Sequence, residues 1–251
     1  IYCYPQPYHI FGLALGYYLS IENSFELIFQ NNKYSSSSHE KWHDLVKKSG
    51  INVLTLGTPT HFKDLYSYYS LNKETPPSSL TAIIGGASVS VDLWCMINKK
   101  LRITNPSIGY GCSEASPGVT HLSPGKKPEQ NGNLGNTLPN VDLILSENNT
   151  TILGENICLA VIQNGAIIFP NGRFLIKDKL RKCDDGTFQF IRKNDLMLNR
   201  GGEKFSLEAI EDIILKRFSK SIVAVSLYDK RLGEDLGILV KGINENLGEI
   251  H

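Results

Sequence analysis

Two short runs, Ile51-Asn52-Val53-Leu54-Thr55-Leu56 and Leu80-Thr81-Ala82-Ile83-Ile84, decide how this chain folds. Each is apolar and strand-length, and the second closes on Gly85-Gly86, which predicts two buried strands. Between them, residues from about His61 to Ser70 carry a helical pattern that stops before Pro76-Pro77. Strand, helix and strand in succession predict an α/β layer around a mostly parallel sheet. Ligands of such sheets lie outside the carboxyl ends of the strands, the position where Gly85-Gly86 falls.

Working outward, the texture changes from about Ser123 to Asp185, where Gly, Pro and Asn become frequent. Short β-type runs there, Val141–Leu145 and Ile157–Ile162, predict a small β subdomain built as a barrel. After Asn194 a third region begins. Ser206 is placed to cap a helix whose Ile210, Ile213, Ile214 and Phe218 share one face. Lys216 and Arg217 near its end suit the helix dipole, and strands are expected at Ile222–Leu227 and Gly237–Val240. One helix with two strands makes a small core, so this piece reads as cut short. The expected organisation is a partial large domain over 1–193, with an α/β part at 1–125 and a β part at 126–193. A partial α+β domain over 194–251 follows. The chain opens at Ile1 without an initiator Met, and we read it as the interior of a longer protein or one whose ends are not represented.

With 41% hydrophobic and 20% charged residues and a net charge of +1, the 251-residue chain has the composition of a globular protein. A charge so near zero argues against a general nucleic-acid or membrane-surface binder. The longest apolar stretch, Ile10 to Ile21, is interrupted by Gly12, Gly16 and Ser20; it predicts a buried helix and no membrane span. Five cysteines, at 3, 95, 112, 158 and 183, are scattered and unpaired in sequence. That pattern predicts reduced thiols and a cytoplasmic address.

Three motifs carry candidate chemistry. Asn199-Arg200-Gly201-Gly202-Glu203-Lys204 pairs two glycines with flanking cations, a turn whose backbone can approach a phosphate-bearing ligand. Gly109-Tyr110-Gly111-Cys112-Ser113-Glu114 has a G-x-G but no continuation into a dinucleotide fingerprint. It offers a ring, a hydroxyl and a carboxylate able to take Mg²⁺, while on spacing alone an ordinary polar loop is the preferred reading. His39-Glu40-Lys41-Trp42-His43 matches the H-E-x-x-H zinc pattern. Four serines precede it, however, so His39 is expected in an exposed first turn with Trp42, Leu45 and Val46 as the apolar face. A solvated helix start is the preferred reading, and a zinc hydrolase ranks third among the functions considered.

In their order, these elements resemble the adenylate-forming superfamily of acyl-CoA synthetases, aryl-acid–AMP ligases, luciferases and peptide-synthetase adenylation domains. Tyr4-Pro-Gln-Pro-Tyr-His9-Ile-Phe-Gly-Leu13 is similar to its P-x-x-H-x-x-G-L segment, and Gly85-Gly86-Ala87 to its adenine-side turn. Tyr110 to Glu114 resembles Y-G-x-[ST]-E, and Gly132 to Pro139 resembles the G-x-x-G-x-x-L-P entry to the β subdomain. Asp178 stands at the Asp of T-G-D, and Arg192 to Glu211 resembles the hinge and the loop beyond it.

The resemblance implies roles. Gly86 and Ala87 would flank adenine with Tyr110 packing against it, Gly85 and Gly111 would belong to the same cofactor-binding turns, and Asp178 would hold the ribose hydroxyls with Arg192 nearby. Ser113 would meet the α-phosphate and Glu114 would ligate Mg²⁺. His9 would stand between the acyl pocket and the thiol tunnel, and Asn194 would be the hinge of a small C-terminal domain. Gly201, Gly202 and Lys204 would line the path of a CoA or carrier-protein phosphopantetheine arm. The implied activity is ATP-dependent ligation of a small carboxylic acid to a thiol. The alternative is a degenerate member that binds nucleotide or acyl group without turnover.

The chain departs from the family pattern in three respects. The phosphate loop that precedes P-x-x-H and the C-terminal catalytic lysine segment are not in this sequence. T-G-D reads Ile176-Lys177-Asp178, and the usual G-R before the hinge reads Ile191-Arg192. Ile10 also stands where the aryl-acid enzymes place Asn, so an apolar or small acid is expected.

Overall fold

The computed structural model describes residues 1–29, 37–50, 52–147, 149–163, 165–193, 197–218 and 222–240. The chain forms two compact units, Ile1–Asn194 and Asp195–His251.

The first unit is α/β. Its parallel part comprises β1 (Tyr2–Cys3), β2 (Ile28–Phe29), β3 (Leu54–Gly57), β4 (Ser79–Ile84) and β5 (Ile103–Gly111). They lie side by side in the order β2-β1-β3-β4-β5, every neighbouring pair parallel. Strand alternation sorts side chains to two faces. Tyr2, Tyr4, Ala82 and Ile84 pack with Trp42, Phe62, Leu65, Trp94 and Ile97, whereas Cys3, Leu56 and Ile83 pack with Phe11 and Leu15. The first set of partners comes from α2 (Ser37–Ser49), α3 (Pro59–Asn72) and α4 (Val91–Lys99). The helix preceding them, α1 (Leu19–Asn23), continues a π-helical segment, Gly12–Tyr18.

Local sequence explains these helices. Thr58, extended at ψ 164°, precedes Pro59 in the first turn of α3, where a missing N–H costs nothing. The Ser90 hydroxyl accepts the Leu93 N–H at 3.1 Å and caps α4. The 10–21 stretch is helical but not buried all round. Gly12 and Gly16 form its inward stripe, while Tyr17, Tyr18 and Ile21 are exposed. A Cβ on Gly12 would lie 2.4 Å from the Gln6 carbonyl oxygen, so close approach selects glycine there, beside the apolar Phe11 and Leu15 that also face inward.

Beyond β5 the sheet turns antiparallel through β6 (Gly118–Leu122), β7 (Asn133–Thr137), β14 (Phe188–Lys193) and β13 (Asp178–Lys182), making nine strands. The sheet therefore runs on past residue 125. Three other strands, β8 (Val141–Leu145), β9 (Thr150–Gly154) and β12 (Arg173–Ile176), form their own antiparallel sheet in the order β12-β9-β8. Val141, Ile152 and Ile176 from it pack with Ala115 and Val119. The apolar run 157–162 is not one strand: its only ladder is the short pair β10 (Val161–Gln163) and β11 (Ala166–Ile168). The backbone N–H of Cys158 goes instead to the Glu114 carbonyl at 2.8 Å.

The second unit is α+β. β15 (Met197–Arg200), β16 (Glu203–Ser206), β17 (Ile222–Asp229) and β18 (Gly233–Val240) form one sheet in the order β16-β15-β18-β17, with α5 (Leu207–Phe218). Ser206 caps α5 by accepting the Ala209 N–H at 3.1 Å. Leu198, Leu207 and Ala224 form the core with Leu236. Ile213 is 62% exposed and departs from the expected apolar face; the side chain of Phe218 lies outside the described residues.

Candidate nucleotide site

β4 and β5 are parallel neighbours, so their carboxyl ends place two of the motifs side by side. Gly85 follows β4, is buried, and donates its N–H to the Gly57 carbonyl at 3.1 Å. A Cβ there would lie 3.1 Å from the Gly109 carbonyl and 3.3 Å from the Phe11 ring. Gly86 turns the chain at φ +81°, a conformation that glycine adopts without strain. Gly86 and Ala87 are both exposed. Tyr110 and Gly111 end β5, and Ser113 and Glu114 enter a single 3₁₀ turn, Ser113–Ala115. Ser113 is exposed and Glu114 half-buried.

Asp178 opens β13, 68 residues after Tyr110, and the fold brings the two together. The Tyr110 hydroxyl donates to Asp178 Oδ2 at 2.6 Å. Thr150 at the head of β9 donates its hydroxyl to the Asp178 backbone carbonyl at 2.8 Å. The aspartate is thus held at side chain and backbone by two elements remote in sequence. Burial first, and then the Asp178 carboxylate, push the Tyr110 phenol well above its ordinary range, so it acts as a donor. The Cys112 thiol is pushed up to about 12 by burial and by Glu114; it is not a nucleophile at neutral pH.

Tyr110 packs against two apolar clusters, one of Leu134, Leu180 and Phe188 and one that includes Val119, Ile152 and Ile176. Tyr110→Phe keeps that packing and removes one hydrogen bond to a carboxylate. The unfolding free energy should fall by about 1.5–3 kcal/mol, read from urea transitions. A drop near zero would show that the bond contributes nothing.

His9 begins the helical segment, with its Nδ1 accepting the Phe11 N–H at 3.2 Å, and its ring is exposed. β13 and β14 pair Asp178 with Lys193 and Lys179 with Arg192, so the Arg192 backbone is one position from Asp178 across the ladder. The Arg192 side chain and the whole of Asn194 lie outside the described residues. In the second unit, Gly201 and Gly202 form the β15–β16 hairpin turn at φ +65° and +103°. Both central residues of such a turn need φ > 0. The Gly202 N–H donates to Asn199 Oδ1 at 3.1 Å. Arg200 pairs with Asp235 at 2.7 Å, and Lys204 is exposed on β16.

The zinc pattern takes a different form from that expected. His39 is 4% exposed, not in a solvated first turn. Its Nδ1 lies 3.1 Å from the Tyr4 hydroxyl, and His43 Nδ1 lies 2.8 Å from that of Tyr69. Strand β1 and helix α3 cover a helix start that its serine neighbours mark as polar. Among the described residues no group of three His, Cys, Asp or Glu is arranged to hold a metal, and no helix is long and apolar enough to cross a membrane. A cavity of about 440 Å³ opens at the amino ends of the strands, beside Val53, Leu54 and Leu80. It contains none of the residues expected to bind nucleotide.

Sequence reasoning missed two site residues. Thr150 carries no local signal. Asn156 follows β9 and donates its amide nitrogen to the Ala115 carbonyl at 2.9 Å and the Gly118 carbonyl at 2.6 Å; in sequence it is one polar residue in a Gly-Glu-Asn turn.

The Gly85-Gly86 turn after β4 and the Tyr110–Asp178 pair at the end of β5 thus stand at the same end of an α/β sheet. Residues 1–156 match the AMP-binding enzyme family model, and the chain belongs to that family. It is 27% identical to an acyl-CoA ligase, cnsG, of Penicillium expansum, over 96% of this chain and 54% of that protein. Among solved structures it resembles an o-succinylbenzoate CoA synthetase of Bacillus subtilis bound with a product analogue. That match has a TM-score of 0.77 and 16% identity and covers 96% of this chain and 52% of the synthetase. A malonyl-CoA ligase with methylmalonyl-CoA and AMP bound matches with a TM-score of 0.69 and 18% identity, covering 94% of this chain and 54% of the ligase. The chain spans about half the length of these relatives.

Proposed function

We propose that this chain carries part of the adenylate-forming site of an ATP-dependent carboxylic acid–thiol ligase. The observation that carries the reading is the Tyr110–Asp178 hydrogen bond. It joins two family motifs at the end of the sheet where Gly85-Gly86 turns. Support also comes from the two bonds that hold Asp178, from Tyr110 and from Thr150, in a turn that has Ile176 and Lys177 where the family pattern has Thr and Gly.

A carboxylate is a poor acyl donor because its leaving group would be an oxide. Attack of the acid's oxygen on the α-phosphorus of ATP forms an acyl-adenylate and releases pyrophosphate; a thiolate then displaces AMP. In this reading Asp178 accepts from the ribose hydroxyls, Gly85, Gly86 and Ala87 leave room for adenine, and Ser113 donates toward the α-phosphate. Glu114 would hold Mg²⁺, which when bound supplies charge neutralisation at the phosphates. The half-buried carboxylate next to a hydroxyl suits an oxygen-seeking cation. His9 would border the acyl and thiol sides, with Asn194 as hinge and Arg192 near the ribose. Gly201, Gly202 and Lys204 would meet the pantetheine arm of CoA or of a carrier protein. The acid is read as small or apolar, and the setting as cytoplasmic.

The test is acid-dependent ATP–pyrophosphate exchange by the complete gene product, over aliphatic and aromatic acids. Exchange with one class supports the ligase and names its acid. Mg-ATP binding without exchange would identify the non-catalytic alternative. Glu114→Ala should lower exchange by about 10²-fold or more; unchanged exchange would remove Glu114 from the metal role.

A further inference from the structure

The turn from Ser113 to Gly118 links β5 to β6, and its own backbone bonds are few: Ala115 N–H to Cys112 O at 3.1 Å and Ser116 N–H to Ser113 O at 3.3 Å. Three further bonds reach it from residues 156–158. The Asn156 amide nitrogen donates to Ala115 O and Gly118 O, and the Cys158 N–H donates to Glu114 O at 2.8 Å. Both acceptors of Asn156 are carbonyl oxygens, so the amide must present its nitrogen to them. Its own oxygen is then buried, and among the described residues it has no donor. Leucine has similar size but would leave the Ala115 and Gly118 carbonyls without the donor that asparagine supplies, so packing alone does not account for asparagine here. Holding the turn does.

The same strand serves the other carboxylate. β9 begins at Thr150, whose hydroxyl binds the Asp178 carbonyl, and it runs directly into Asn156. We propose that Asn156 is a positioning residue for Glu114, fixing the backbone on which the magnesium-side carboxylate is presented; this rests on the ligase reading of the site. The groups that orient a metal-binding carboxylate typically change metal affinity or activity 10–100-fold when removed.

The experiment compares the wild-type complete gene product with Asn156→Leu. The measurements are the Mg²⁺ concentration for half-maximal ATP–pyrophosphate exchange, the KM of the acid, and hydrogen exchange at the Cys158 amide. The expected result is a rise of about tenfold or more in the Mg²⁺ requirement, an acid KM little changed, and faster exchange at Cys158. A folded Asn156→Leu protein with the wild-type Mg²⁺ requirement and wild-type Cys158 exchange overturns the proposal while leaving the ligase reading intact. A wild type that neither exchanges nor binds Mg-ATP removes both. If Asn156→Leu does not fold, Asn156→Ser and the wild-type amide read the same contact. Slower Cys158 exchange on adding Mg²⁺ with a non-hydrolysable ATP analogue, and less slowing in Asn156→Ser, support the proposal. Equal slowing in the two overturns it.

Discussion

Gly111→Ala is expected to lower the unfolding free energy by about 4 kcal/mol or more and to disorder the turn between β5 and β6. A Cβ at this position would lie 1.5 Å from the Pro117 carbonyl oxygen and 2.7 Å from its carbon. Both are backbone atoms, so no side-chain rotation relieves the overlap. Gly111 pairs with Gly118 across β5 and β6, at a register shift that follows Tyr110. Moving the two strands apart would displace the bonds that Asn156 makes to Ala115 and Gly118. The cost therefore falls on the fold and on the turn carrying Ser113 and Glu114 together. Gly109→Ala is the control, because its Cβ would meet only Ile83 Cγ2 at 3.4 Å, an ordinary contact. Urea unfolding of the two variants should differ by several kcal/mol; equal stabilities would refute the argument.

The second large effect is acid lability. His39 and His61 are held neutral, their pKa values pushed down from 6.5 to about 4 and about 3 by burial, with the His39 charge adding to the effect on His61. Geometry agrees. His61 Nδ1 accepts the Thr58 N–H at 3.0 Å and so cannot carry a proton there, and its ring stacks on Tyr4 at 5.1 Å. A histidine whose folded pKa lies below its unfolded value contributes its full stability above pH 6.5. That contribution is lost as pH falls through 6.5 toward the folded value. At about 1.4 kcal/mol per unit, each group costs about 2 kcal/mol by pH 5. The pair together then removes a large part of an ordinary domain's margin of about 5–15 kcal/mol. Urea midpoints should fall steeply from pH 6.5 to 5, and His39→Gln should flatten that slope. A midpoint constant over this range would show that neither histidine is buried as described.

The corrections share a physical cause. Ile157–Ile162 is apolar and β-branched enough to read as a strand, but the Cys158 N–H is committed to Glu114 O, so that position cannot join a ladder. His39 follows four serines and reads as exposed, yet Tyr4 and Tyr68 lie against it from other elements. In each case the local pattern gave one answer, and a partner far along the chain overrode it.

Sequence alone was enough for what depends on neighbours in the chain. Strand-length apolar runs with a helix between them specify the parallel layer. Ser206 marks a helix start, and paired glycines mark turns whose φ values other residues avoid. The motif residues Tyr110, Glu114 and Asp178 were singled out one by one, Asp178 only through the resemblance. Only the tertiary structure decided which of them meet. The Tyr110 hydroxyl on Asp178 spans 68 residues, and the Asn156 bonds to Ala115 and Gly118 span 41 and 38. Hydrogen bonds between remote groups depend on angles and distances set by packing, and no periodicity in the sequence records them.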